Sequence, residues 1–249
     1  MMDSDPLGRA ILDYERGGLR GDCLYRDGAE TWDGHIYENY FRQPEEWSDS
    51  WKDLLDSLPC PVVDIGCGSG QYAEFLQKRG EVVAIDVSPA AVEATRERGV
   101  EDARVMDMFE LAFPPNRFRS VLLNGTQLGL TGSLAGARQF LSDLARITEE
   151  DGVAVVDNYD PTNCGPDDVF GYRPDPRRGI AHRTFHFEYE RDGEREVGRS
   201  LHFVLFSPDR LQDVTVGTPW YVAEVRPGDG YYKAVLRKDD GENGRKRDQ

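Results

Sequence analysis

Lysine is scarce in this chain of 249 residues: it supplies five of the 30 basic residues, and arginine supplies the rest. The acidic residues number 46, so the formal net charge is −16. An acidic, lysine-poor surface keeps a protein soluble at high salt, which favours a halophilic source. A GC-rich genome is the alternative explanation, because it also favours arginine over lysine. The charge also argues against nucleic acid as a partner, because phosphate binding requires a basic surface.

Long apolar stretches are also lacking. No run approaches the roughly 20 residues that span a membrane, and the first residues lack the basic and apolar regions of a signal peptide. The four cysteines, Cys23, Cys60, Cys67 and Cys164, show no spacing typical of a metal site or a disulfide framework. We therefore expect a cytoplasmic protein with reduced cysteines and no membrane contact.

What the sequence does contain is an alternation of short β-branched runs with amphipathic stretches. The runs PVVDIG, EVVAIDV, ARVMDM, RFRSVLLNG and GVAVVDNYD predict five strands. The longest helix between them is predicted from the apolar face that carries Leu134, Phe140, Leu144 and Ile147. Strands that alternate with helices predict an α/β fold with a parallel sheet and right-handed crossovers.

The first 58 residues do not follow this alternation and are predicted to form an N-terminal cap or lid. A short helix is expected over about residues 5–15, and a hairpin around Asp27-Gly28. A further helix is expected over residues 44–58, leading into the α/β core.

The alternation also ends after Asp160. Residues 160–206 are predicted to form an inserted loop and a β-hairpin around Asp192-Gly193, with Phe185, Phe187 and Tyr189 on one face. A short helix and a final hairpin over about residues 220–238 follow. The polar tail over residues 241–249 is predicted to be disordered.

A glycine-rich turn, with Gly66, Gly68 and Gly70, follows the first strand in VVDIGCGSGQ. Such turns bind nucleotides, but the dinucleotide fingerprint G-x-G-x-x-G requires a third glycine where Gln71 stands. Asp64 would also repel a pyrophosphate, which prefers helix N–H groups and positive charge. A ligand with cationic groups suits this turn better. S-adenosylmethionine carries an ammonium and a sulfonium group and no phosphate, whereas a nicotinamide-dependent oxidoreductase is the less favoured alternative.

Two further acids end the next two strands. Asp86 lies 20 residues beyond Gly66, where a carboxylate can accept hydrogen bonds from two ribose hydroxyls. Asp107 lies another 21 residues on, where it can accept from an adenine amino group. Three acids at three successive strand ends, with no phosphate-binding cluster, favour S-adenosylmethionine.

These segments resemble the class I S-adenosylmethionine-dependent methyltransferases. VVDIGCGSGQ is similar to the first motif of that family, VVAIDVSP to the second, and RVMDM to the third-strand motif, over about residues 59–159. The runs DVSPAAVEATRERGV, NGTQLGLTGS and GTPW resemble prokaryotic small-molecule or uncharacterised members. The resemblance implies a Rossmann-like, seven-stranded, mostly parallel sheet with helices on both faces and an antiparallel last strand. It places the methyltransferase domain at residues 59–240, with residues 160–206 as a substrate cap.

The resemblance also implies a role for each matched residue. Asp64 reaches the methionine ammonium, the backbone at Gly66, Gly68 and Gly70 approaches the methionine and ribose parts, and Asp86 binds the ribose hydroxyls. Asp107 and the backbone of Met108 meet the adenine, and Asn124 lines the floor near the methyl group. Cys67 and Val87 complete the predicted cofactor-binding set, although Cys67 is equally explained as a small residue in a tight turn.

The methyl acceptor is less constrained by the sequence. The family motif for exocyclic nitrogens, Asn or Asp followed by two prolines and an aromatic, is absent because Gly125 and Thr126 follow Asn124. The metal-dependent subgroup uses acids at the ends of the fourth and fifth strands; Asn124 is not an acid, so no metal is predicted.

Residues outside the core supply the remaining candidates. His35, His182 and His186 are weak candidates for a general base, and each is also explained as a structural histidine. The segment YRPDPRRGIAHR sets Arg173, Arg177, Arg178 and Arg183 against one acid, which favours an anionic acceptor. We predict methylation of an N, O or C atom of an unidentified small molecule. The alternatives are a protein or nucleic-acid methyltransferase and a non-catalytic protein of this fold.

Overall fold

The computed structural model describes residues 4–238, so the tail predicted to be disordered over 241–249 lies outside the described residues. The helices are α1 Pro6–Glu15, α2 Ile36–Tyr40, α3 Asp49–Asp56, α4 Gln71–Gln77, α5 Pro89–Glu97, α6 Leu134–Ile147 and α7 Pro208–Thr215, with 3₁₀ turns at Pro44–Glu46 and Gln127–Thr131. The strands are β1 Cys23–Asp27, β2 Glu30–Asp33, β3 Val62–Ile65, β4 Val82–Asp86, β5 Ala103–Val105, β6 Phe118–Leu123, β7 Thr148–Tyr159, β8 Tyr172–Pro174, β9 Ile180–Arg191, β10 Glu194–Val197, β11 Leu201–Phe206, β12 Trp220–Pro227 and β13 Tyr231–Lys238.

Seven strands form one sheet in the order β12-β13-β7-β6-β3-β4-β5. The pairs β4–β5 and β6–β7 are parallel, and the last strand, β13, is antiparallel to β7. Strand β3 is buried along its whole length because strands of a parallel sheet are covered on both faces. The predicted Rossmann-like α/β fold with an antiparallel last strand is confirmed.

The chain divides into two compact units. The first contains the described residues up to 57 together with residues 64–108 and 184–201; the second contains residues 58–63, 109–183 and the described residues from 202 onward. No helix in the described part of the chain combines the length and the apolar character needed to cross a bilayer.

A second, antiparallel sheet joins two parts of the chain that are far apart in sequence. Strand β1 pairs with β2 and with β9, so that Cys23 is opposite Tyr189 and Tyr25 is opposite Phe187. The ring of Tyr25 packs against Phe187 at 4.7 Å and against Phe185 at 4.9 Å. The predicted apolar face of Phe185, Phe187 and Tyr189 is buried. The N-terminal hairpin and the insert therefore share one sheet.

The insert contains two more strands than expected. Strand β8 pairs with β9 in the segment predicted as a loop, and a further strand follows the hairpin turn. The predicted turn at Asp192-Gly193 joins β9 to β10, and both residues have the positive φ that a two-residue hairpin turn requires. The segment predicted as a single second strand then divides into β10 and β11, which both pair with β9. The backbone N–H of Gly198, which follows β10, donates to the carbonyl of Phe187.

The N-terminal helices follow their capping residues. The Asp5 carboxylate accepts the Gly8 N–H at 3.1 Å, and α1 begins there as predicted. The single helix expected over residues 44–58 is wrong, because the chain is extended at Trp47 and Ser48. Ser48 caps a new helix there by accepting the Trp51 N–H at 3.3 Å.

Candidate functional site

The glycine-rich turn lies between β3 and α4 in the first unit. Gly66, Gly68 and Gly70 have φ values of +73°, +56° and +75°, which L side chains rarely adopt. The N–H groups of Gly66 and Cys67 both donate to the carbonyl of Ile85 at 2.8 and 3.0 Å, which ties the turn to β4. The alternating glycines therefore allow the left-handed backbone of this turn, as expected for a turn that a ligand approaches closely.

Asp64 precedes this turn and is almost completely buried, with 2% of its surface exposed. The backbone N–H of Ala73 donates to its carboxylate, but Oδ2 has no hydrogen-bond partner among the described residues. Burial, and to a lesser extent the charge of Asp86, raises the pKa of Asp64 to about 7. A buried carboxylate oxygen without a donor is unfavourable. An ammonium group from a ligand would satisfy it, so this residue fits the methionine end of S-adenosylmethionine.

Asp86 ends β4 and is bonded directly to the glycine turn. Its Oδ2 accepts the Gly68 N–H at 3.0 Å, and its Oδ1 accepts the Ser88 N–H at 2.9 Å. Burial raises the pKa of Asp86, whereas the backbone hydrogen bonds from Ser88, Gly68 and Val87 lower it and nearby Asp5 raises it further. A carboxylate has about four acceptor positions. One therefore remains for a ribose hydroxyl.

The other predicted cofactor residues of this unit have different surroundings. Cys67 is buried, its Sγ lies 3.6 Å from Thr95 Oγ1, and burial raises the pKa of its thiol. Val87 is 52% exposed directly after β4. Beyond β5, Asp107 is exposed and Met108 is buried. Their contacts with the cofactor stay predictions.

The N-terminal segment contacts the glycine turn, which sequence reasoning missed. Ser69 Oγ donates to the Tyr40 carbonyl, and Gln71 Nε2 donates to the Asn39 carbonyl at 2.8 Å. The Tyr40 ring also lies against Gly68, where a Cβ atom would come within 2.9 Å of its Cδ1. The N-terminal segment was predicted to form a cap or lid, but no local signal gave the position of Tyr40 on this turn.

Replacing Gly68 by alanine tests this contact. We expect a loss of roughly 1–2 kcal/mol from the left-handed backbone, together with displacement of the Tyr40 ring. Gly28→Ala is the matched control, because Gly28 has a φ of +59° and no atom near its added Cβ. Urea unfolding should show a larger loss for Gly68→Ala than for Gly28→Ala. Equal losses would contradict the packing of Tyr40 on the turn.

In the second unit, Asn124 follows β6 and belongs to a polar cluster. Lys233 Nζ donates to Asn124 Oδ1 and lies 3.8 Å from Asp157 Oδ2. Asp157 also accepts the N–H groups of Gly125 at 3.0 Å and Thr126 at 2.6 Å. Burial lowers the pKa of Lys233, and the charge of Asp157 opposes this effect. Sequence reasoning missed Lys233 because one lysine in a strand carries no recognisable signal.

The carboxylates at the end of β7 have protein partners of their own. Asp160 accepts hydrogen bonds from Thr162 and Asn163. Within residues 4–238, no group of three or more His, Cys, Asp or Glu side chains is placed to hold a metal ion. The prediction of a site without metal stays a prediction.

The three candidate bases lie in three separate surroundings. His35 is exposed at the start of α2, with Nδ1 3.6 Å from Asp33. His186 Nε2 lies 3.2 Å from Glu188, and His182 Nε2 lies 3.3 Å from Asp175. Each histidine therefore has a carboxylate neighbour, which fits a structural role at least as well as a catalytic one.

The arginine-rich segment is partly neutralised. Arg177 forms two hydrogen bonds of 2.8 Å with Asp175, and holds the pKa of that carboxyl well below its usual range. Arg183 donates to the Phe170 carbonyl and lies over the ring of Tyr159 at 5.7 Å. Arg183 thus places a positive charge beside an aromatic ring at the end of β7.

Comparison with known proteins finds similarity to methyltransferase domains. Residues 62–152 match the family model described as a methyltransferase domain. In sequence, 99 residues are 35% identical to a ribosomal protein L11 methyltransferase of Tolumonas auensis, over 38% of this chain and 32% of that protein. The chain therefore spans about a third of the length of this curated relative.

Solved structures share the fold over most of the chain. An S-adenosylmethionine-dependent methyltransferase from Bacteroides fragilis, in complex with S-adenosylhomocysteine, has a TM-score of 0.76 at 22% identity, over 94% of this chain and 95% of that chain. A sugar N-methyltransferase from a Streptoalloteichus species has a TM-score of 0.57 at 15% identity, over 86% of this chain and 97% of that chain.

The fold and the glycine-turn site are similar to those of class I S-adenosylmethionine-dependent methyltransferases. Residues 62–152 match the methyltransferase domain model, and the predicted resemblance is confirmed. The Bacteroides fragilis structure contains S-adenosylhomocysteine, which agrees with the cofactor predicted for this domain.

Proposed function

We propose that this protein transfers the methyl group of S-adenosylmethionine to a small molecule. The observation that carries the proposal is the buried Oδ2 of Asp64, which has no donor among the described residues and lies beside a glycine turn bonded to Asp86. This arrangement supplies what a cationic, ribose-bearing cofactor needs. The cofactor in turn supplies an electrophilic methyl group for in-line displacement.

The residues of the chain contribute mainly binding and alignment. Asp64 binds the ammonium group, and Asp86 orients the ribose while its bonds to Gly68 and Ser88 keep the carboxylate fixed. A base is required only if the acceptor must lose a proton. His35, His182 and His186 stay weak candidates for that role.

A small acceptor is favoured over nucleic acid by charge. With a net charge of −16, the protein would repel nucleic acid unless a local basic surface opposed it. The similarity to a ribosomal protein L11 methyltransferase covers 38% of this chain and 32% of that protein, so its acceptor is not carried over to this chain. Arg183 beside Tyr159 supports an anionic group on the acceptor.

Methyl transfer can be tested with methyl-tritiated S-adenosylmethionine. Pools of small acids, alcohols, amines and sugars would be offered beside a total protein fraction and a total RNA fraction. We expect label to enter a small-molecule pool, and Asp64→Asn to reduce the transfer strongly when the cofactor is not saturating. Label in the protein or RNA fraction would support the macromolecular alternative. No transfer by a protein that binds the cofactor would support the non-catalytic alternative.

A further inference from the structure

The side chain of Asn124 is hydrogen-bonded to a residue on another strand. Lys233 on β13 is the cross-strand partner of Asp157 on β7, and its Nζ donates to Asn124 Oδ1 at the end of β6. The lysine side chain is 17% exposed. Its ammonium also lies 5.5 Å from the centre of the Tyr231 ring. Three neighbouring strands of the second unit thus contribute to one cluster.

The identity of the atom that faces Lys233 follows from its chemistry. An ammonium group has three donors and no acceptor, so the atom it meets on Asn124 must be the amide oxygen. Amide orientation is assigned from such partners. The amide nitrogen then points away from the cluster, and within residues 4–238 it donates to no protein group. Asn124 is half-buried, so this N–H pair is accessible to a ligand.

The backbone beyond Asn124 is fixed as well. Asp157 accepts the N–H groups of both Gly125 and Thr126, which have φ values of +91° and +62°. The turn therefore cannot swing without breaking two hydrogen bonds to a buried carboxylate. Ligands of parallel α/β sheets bind at the carboxyl ends of the strands, which is where Asn124 lies.

We propose that Lys233 is a positioning residue that holds the Asn124 amide with its oxygen towards the lysine ammonium. The amide nitrogen of Asn124 then donates hydrogen bonds to the methyl acceptor. The inference rests on the proposed function. It specifies that the acceptor molecule presents a carboxylate, carbonyl or hydroxyl oxygen to Asn124. A protonated amine in that place would face two N–H donors and find no acceptor.

Nuclear magnetic resonance of the Asn124 side chain tests this positioning role. The ¹⁵N-labelled protein would be saturated with S-adenosylhomocysteine, and the amide pair identified by its loss in Asn124→Asp. Lys233→Met removes the donor, whereas Lys233→Arg keeps one. We expect a single sharp amide pair in the wild type and in Lys233→Arg, and a displaced or broadened pair in Lys233→Met. Unchanged Asn124 amide signals in a folded Lys233→Met protein would overturn the positioning role of Lys233.

Two simple ions test the donor role. Acetate offers only oxygen acceptors, and methylammonium offers only donors. We expect acetate to move the Asn124 amide protons of the wild type downfield, methylammonium to leave them in place, and Lys233→Met to lose the response. A response to methylammonium alone, or to neither ion, would overturn the proposal. Failure of S-adenosylhomocysteine to bind would instead count against the proposed function, because the amide spectra can also be recorded without it.

Discussion

Asp64→Asn is expected to weaken binding of S-adenosylhomocysteine by ten- to a hundred-fold and, at the same time, to stabilise the ligand-free protein. A hydrogen bond between charged groups contributes roughly 1.5–3 kcal/mol, and each 1.4 kcal/mol corresponds to about tenfold in affinity. The same carboxylate is unfavourable in the ligand-free protein, because it is buried and Oδ2 lacks a donor among the described residues.

The stabilisation should depend on pH in a defined direction. The pKa of Asp64 is raised from 3.8 to about 7 by folding. As pH rises from about 4 to 7, the unfolded chain loses this proton before the folded protein does, so the folded state becomes less stable. The difference in the pKa of Asp64 between the folded and unfolded states corresponds to roughly 4 kcal/mol of folding stability. This contribution is fully lost above pH 7. Asp64→Asn removes this dependence, so its advantage should grow between pH 5 and pH 8.

Urea unfolding at several pH values and calorimetric titration measure the two effects separately. Asp53→Asn is the matched control, because it removes an exposed carboxylate from the same unit. In the wild type, binding should also strengthen as pH rises towards 7, since the ammonium requires an ionised Asp64. A ligand-free Asp64→Asn protein that is less stable than the wild type at pH 8 would contradict this account.

Asp86→Ala is expected to weaken cofactor binding by an order of magnitude or more. The substitution removes the acceptor of the ribose hydroxyl, and it leaves the N–H groups of Gly68 and Ser88 without their acceptor. Loss of a buried acceptor costs roughly 1–3 kcal/mol, so the ligand-free protein should also be destabilised. Asp64→Asn and Asp86→Ala should thus change stability in opposite directions.

Asp86→Asn separates the two contributions of Asp86. The amide keeps one oxygen acceptor and the shape of the side chain, but it loses the charge. Calorimetry should place its affinity between those of the wild type and Asp86→Ala. Unchanged affinity in Asp86→Ala would remove Asp86 from the ribose site.

The core of this fold was predictable from local sequence, because its signals are local. The apolar runs around Asp64 and Asp86 predicted β3 and β4. The cap of α5 is also local, because Ser88 accepts the Ala91 N–H just before Pro89. Glycines with positive φ marked the turn between β3 and α4. The link between Asp86 and Gly68 adds a contact that neither motif contains by itself.

Contacts between distant segments were not predictable in this way. The pairing of Cys23 with Tyr189 joins residues far apart in sequence. A high content of β-branched and aromatic residues predicts that a segment forms a strand, but it does not predict which strand that segment pairs with. The position of Tyr40 on Gly68 is of the same kind. The contact of Lys233 with Asn124 is evident only in the folded structure, where β13 places the lysine beside the end of β6.

Calorimetric titration of the wild-type protein with S-adenosylhomocysteine, and separately with NADH, shows which cofactor the glycine turn binds. We expect micromolar binding of S-adenosylhomocysteine, loss of most of that affinity in Asp64→Asn but not in Asp53→Asn, and no binding of NADH. Binding of NADH alone, or equal binding of S-adenosylhomocysteine by the wild type and Asp64→Asn, would contradict this expectation.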